Sequence, residues 1–80
     1  MSDADSLMEF YRGLDPSYRV LLSYRFKAKY GRPPEDAIAA GPQAFFDALA
    51  EALGPHNAEV FKGMYKEWLR RGRGRRPPED

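Results

Sequence analysis

Apolar positions in this chain recur at helical spacing nearly throughout. Leu7, Phe10, Tyr11 and Leu14 follow i, i+3, i+4, i+7 and predict a short first helix, broken at Gly13 to Asp15, with Asp3 or Asp5 as its cap. Asp15-Pro16 then reads as a helix start, because the aspartate accepts hydrogen bonds from free amides and proline suits the first helical position. No breaker follows until Gly31-Arg32-Pro33-Pro34, which predicts a second helix from Pro16 to Tyr30. Pro34 opens a helical turn with Glu35 and Asp36 near its positive end. A helix from Pro42 to Leu53 presents Phe46, Leu49, Ala50 and Leu53, with Phe45 beside them, and ends at Gly54-Pro55. The last helix is expected to be capped by Asn57 and carries Phe61, Met64, Tyr65 and Trp68 on one face.

One segment has two readings. "SYRFKAKY", Ser23 to Tyr30, alternates apolar and basic residues at period two, which would make it a half-buried strand. The uninterrupted run from Pro16 is too long for an ordinary strand of about 5–6 residues. On a helical wheel Tyr18, Leu22 and Phe26 form one stripe, and Leu21, Tyr24 and Ala28 form a second. Arg19, Ser23 and Lys27 share the remaining face. A helix apolar on two sides is expected to be central, touched by several neighbours.

The fold class that follows is all-α: a small single-core bundle of four main helices, with a short helical turn between the second and third. The helical domain is expected over residues 1–71, with an Arg/Gly/Pro-rich tail at 72–80. "RPPED" occurs at Arg32 to Asp36 and again at Arg76 to Asp80, which is similar local chemistry and too short for a structural repeat.

Composition narrows the means of stabilisation. With 80 residues and no cysteine, the core has neither disulfide nor thiolate–metal support. One tryptophan, five tyrosines and five phenylalanines are the substitute. Trp68→Ala is therefore expected to cost about 3–5 kcal/mol if the ring is buried. No run is long enough to span a membrane, and the amino terminus is acidic where a secretory signal is basic. A soluble, cytoplasmic protein is the expectation.

The net charge of +1 conceals a segregated distribution. "RRGRGRR", Arg70 to Arg76, separates arginines with glycines, so that each guanidinium can reach a phosphate independently. The phosphate-binding candidates are Arg70, Arg71, Arg73, Arg75 and Arg76, with Lys62 and Lys66 extending the surface onto the last helix. DNA or RNA is the partner this tail would take, and a merely solubilising terminus is the alternative. Glu59 is expected to pair with Lys62, and Glu67 with Arg70 or Arg71.

Catalytic and metal chemistry lack a constellation. His56 is the single histidine, placed in the joint between helices, with no nucleophile nearby in sequence. The acids Glu35, Asp36, Asp47 and Glu51 do not follow calcium-loop spacing, and the glycines form no phosphate loop. No enzyme activity, cofactor or metal is expected. The helix after Pro42 carries Gln43, Asp47 and Glu51 on its polar side, which excludes it as a reader of the DNA major groove.

The stretch from Lys29 to Leu69 carries Tyr30-Gly31, Glu35-Asp36, Phe45-Phe46 with Leu49, Leu53-Gly54, and an Ala58-led helix. In these features it resembles a group of small archaeal helical domains, the Nitrosopolaris output domain, type five. The resemblance implies a non-catalytic module of regulatory or signalling proteins in an archaeon, with no catalytic residue to carry over. A protein partner or a second copy of the chain would then meet an exposed aromatic patch, for which Tyr18, Phe26 and Tyr30 are the candidates; ordinary core is their other reading.

Overall fold

The computed structural model describes residues 3–72. Among them lie five helices and no strand: α1 (Asp3–Arg12), α2 (Pro16–Tyr30), α3 (Pro34–Ala39), α4 (Pro42–Leu53) and α5 (Pro55–Arg70). The expected all-α class is what the chain adopts, with the turn after Pro34 forming the six-residue α3. Proline opens each helix from α2 to α5, where its missing N–H removes a donor the first turn could not have satisfied.

The joints follow from backbone chemistry. Asp15 accepts from the Ser17 amide at 3.2 Å and so caps α2. At its other end Gly31 turns left-handed (φ 72°) and returns its amide to the Lys27 carbonyl at 2.9 Å. A single residue, Gly54 at φ 96°, separates α4 from α5. Its amide closes the last turn of α4 on Ala50, and its carbonyl accepts from Ala58. Only glycine takes that conformation without strain.

Two expected caps are corrected here. Asp3 and Asp5 both lie within the first turn of α1, where they act as charges against the helix dipole. Helix α5 begins at Pro55, so Asn57 lies inside it and donates from Nδ2 to the Leu53 carbonyl at 2.8 Å. His56 likewise sits on the exposed first turn of α5 instead of in a joint.

The interior is closed by Leu7, Leu22, Phe26, Ile38 and Leu49, one or more from each of the first four helices, and by Phe61 and Tyr65 from α5. Ile38 is 0% exposed and packs where α3 meets α1, α2 and α4. Rings connect the halves: Phe26 stacks on Phe45 at 5.8 Å, Phe45 meets Phe46 at 5.1 Å, and Phe46 reaches Tyr65 at 6.1 Å. From Tyr65 contacts continue to Phe10 at 5.3 Å and to Trp68 at 6.0 Å.

Trp68 is half-buried at the end of this chain of rings, so the full cost of an interior tryptophan does not apply. Ile38→Ala is expected to destabilise by about 2–5 kcal/mol and Trp68→Ala by less. Urea unfolding followed by circular dichroism on both variants tests the ranking; a larger loss for Trp68→Ala would place the keystone in α5.

Candidate functional site

Helix α2 is buried on one side only. Leu22 and Phe26 point inward, whereas Val20 is 68% exposed, Tyr24 69%, Tyr18 44% and Leu21 41%. The second apolar stripe, expected to touch neighbouring helices, instead faces outward, because among the described residues no other helix lies over that side. Among the partner-binding candidates, Phe26 is core at 1% exposure and carries no surface role. Tyr30 is half-buried, its hydroxyl within 2.9 Å of the Ala48 carbonyl and 3.0 Å of Glu51 Oε1, two acceptors for one proton. Tyr18 remains partly exposed while packing edge-on to Phe61 at 5.7 Å. The surface that does exist is Val20, Leu21 and Tyr24 with the adjoining edge of Tyr18.

Sequence reasoning missed Val20 altogether and expected the stripe of Leu21 and Tyr24 to be touched by neighbouring helices. The available signal was angular: α2 carries apolar residues over more than half its circumference, and Arg25, Lys27 and Lys29 bracket the stripe that stays outside.

A polar cleft opens beside this face, between the end of α1, the start of α3 and α2. It is lined by Tyr11, Arg12, Arg19, Val20, Ser23 and Glu35. Burial pushes the Tyr11 phenol above its ordinary pKa; a hydrogen bond with Ser23 opposes that, the Glu35 charge adds to it, and Arg19 opposes it weakly. Arg19 Nε donates to the Leu14 carbonyl at 3.2 Å. A second concavity of about 460 Å³ runs between α4 and α5 over Phe46, Ala50, Ala58, Tyr65 and Leu69, with both signs of charge on its rim.

The basic surface of α5 is largely neutralised. Glu67 lies 3.1 Å from Arg70 Nε and 3.0 Å from Arg71 Nε, and Lys62 lies 3.7 Å from Glu59. The expected pairings are therefore present, and they compete with phosphate for Arg70, Arg71 and Lys62. Lys66 is exposed beside the α4–α5 concavity. Arg73, Arg75 and Arg76 lie outside the described residues. Among the described residues, no three of His, Asp and Glu converge to hold a metal ion, and no helix is long and apolar enough to cross a membrane.

No protein family, curated protein or solved structure matches this chain.

Two predictions follow from these contacts. The Tyr30 pKa is raised by partial burial first, then by its hydrogen bond to Glu51 and by that residue's charge. The neutral phenol is thus favoured in the native state, and this contribution is complete below the ordinary tyrosine pKa of about 10 and lost as pH rises through the raised value. Urea midpoints at pH 7, 9 and above 10 should fall at the alkaline end, and less steeply in Tyr30→Phe; identical slopes would remove Tyr30 from the effect. Separately, if the arginine tail engages phosphate, Glu67→Gln should tighten duplex DNA binding at low salt and steepen its salt dependence by at most about two contacts. A chain ending at residue 69 should bind more weakly than both, and equal affinities across the three would eliminate the tail as a phosphate contact.

Proposed function

We infer that this chain is a non-enzymatic helical interaction module, a regulatory or accessory component that binds a protein partner through the outward face of α2. The observation that carries the reading is the contiguous exposure of Val20, Leu21 and Tyr24 on a helix whose opposite side is fully packed. Scattered apolar residues on a surface need no explanation, but several on consecutive turns of one helix form a patch of the kind that partners cover. Covering Val20 and Leu21 is worth up to about 1.5–3 kcal/mol each, before the cost of association.

The expected resemblance of residues 29–69 to the archaeal output-domain group would imply the same class of function, but no family match stands behind it and the reading does not rest on it. An archaeal cytoplasm is proposed as the setting from that resemblance alone. The nucleic-acid alternative rests on the arginine tail, and the pairing of Arg70 and Arg71 with Glu67 lends it no added weight.

The test places a photoreactive p-benzoylphenylalanine at position 24 or, as control, at exposed position 56 in the source cell. A discrete protein adduct from position 24 and none from position 56, identified by mass spectrometry, is the expected result. Equal labelling from both positions, or adducts that vanish with nuclease, would overturn the reading. Tyr24→Glu should abolish the interaction while shifting unfolding free energy by no more than about 0.5 kcal/mol, since the ring has little to lose in the folded chain.

A further inference from the structure

Between Pro16 and Tyr30 the chain holds Arg19, Arg25, Lys27 and Lys29 and no acid. At 100° per residue, Val20, Leu21, Tyr24 and Ala28 form one outward ridge. Lys27 runs along one edge of it, and Arg25 and Lys29 along the other. None of these three edge cations makes an ion pair with a described residue, and neither does Arg12. Beside Val20 the ridge descends into the cleft that holds Arg12 and Arg19. The Arg19 bond to the Leu14 carbonyl orients its guanidinium and leaves the two terminal amino groups for another acceptor. Glu35 is the one acid in the cleft lining, so two guanidiniums there face a single carboxylate.

We propose that the outer face of α2 docks an acidic amphipathic helix of a partner protein, with apolar residues on Val20, Leu21 and Tyr24 and a carboxylate seated between Arg12 and Arg19. The proposal rests on the interaction-module reading and names the chemistry of its partner. Charge complementarity selects the occupant: a seam bordered by cations on both sides is matched by an apolar seam bordered by acids. The 15 residues of α2 span about 22 Å, enough to receive four turns of a second helix.

The same facts disfavour other occupants. A second copy meeting this face by two-fold symmetry would set Arg25, Lys27 and Lys29 against their own counterparts, with no acid in either α2 to relieve them. A nucleic-acid strand could use the cations and Tyr24, but Val20 and Leu21 offer nothing to phosphate and would remain an uncovered apolar patch.

The probes are two synthetic 18-residue helical peptides with leucine at i, i+3, i+4 and i+7. One carries glutamate on the positions flanking the leucine seam and the other lysine, with alanine and glutamine elsewhere to keep both helical. Each is titrated into the isotopically labelled full chain at low salt. The glutamate peptide should bind at least about tenfold more tightly than the lysine peptide, with amide shifts concentrated at residues 20–25 and at Arg12 and Arg19. Arg12→Glu should weaken it several-fold, and Tyr24→Glu should abolish it with an unchanged melting curve. Equal affinity for both peptides, or shifts confined to the α4–α5 concavity, would overturn the proposal. So would tighter binding of the same face to oligo-dT or to vesicles of anionic lipid. A partner cross-linked from position 24 that presents a basic or uncharged segment would sink this inference and leave the module reading standing; no partner at all would end both.

Discussion

Five short helices supply enough apolar surface to enclose one side of α2 and not the other, and the rest of the molecule is arranged around that limit. A domain of this size buries about 60% of the surface its unfolded chain exposes, so apolar residues on a central helix compete for a small number of covering elements. Leu22 and Phe26 win that competition because α3 and α4 pack over them. The covering of α2 depends in turn on α3, whose six residues are held in place by Ile38 and Pro34, both essentially inaccessible to water. An isolated helix of that length would not form, so its stability comes from packing, and the closure of the core and the shape of α2's exposed face rest on the same contact.

Most of the architecture was legible in the chain because punctuation and period agree. Asp15-Pro16 as the start of α2, Gly31 as its end, Gly41-Pro42 as the start of α4 and Gly54 as its end are boundaries that the structure keeps, because glycine suits a helix end and proline a helix start. Asn57 shows where local chemistry misleads: an asparagine in the right place to cap was overridden because Gly54 and Pro55 had already turned the chain into α5. The same holds for the site. Periodicity says that Leu21 and Tyr24 share a face, but it cannot say whether a neighbour exists to cover that face, because cover is supplied by residues distant in sequence. Tyr30 was legible as an aromatic on the helix, but its acceptors lie on α4, some 18 and 21 residues away.

The charges are partitioned in a way the net value hides. Six of the described acids have a side-chain partner: Asp15 with Ser17, Asp36 with Arg32, Asp47 with Gln43, Glu51 with Tyr30, Glu59 with Lys62, and Glu67 with Arg70 and Arg71. Hydrogen bonds from Ser17 and from the two arginines hold Asp15 and Glu67 below the usual carboxylate range, as expected of acids whose charged form is already accommodated. Among the described residues, Arg25, Lys27 and Lys29 have no ion-pair partner. Helix α2 therefore contributes only cations to the field over its outer face, with Glu35 the acid in the adjoining cleft, although a chain with 13 basic and 12 acidic side chains looks nearly neutral.

That partition bears on how the proposed docking face would avoid indiscriminate association. An uncovered ridge of Val20, Leu21 and Tyr24 without flanking charge would pair with any apolar surface, another copy of itself included. The cations on both edges raise the cost of every encounter that does not bring acids, and self-pairing is among the costliest because it doubles the like charge. Salt screens exposed charges separated by more than roughly 8–10 Å and so weakens this discrimination while leaving the apolar attraction intact. On the proposed docking, selectivity at this surface would be electrostatic and affinity apolar: the two properties would reside in different residues of the same helix and respond to different conditions.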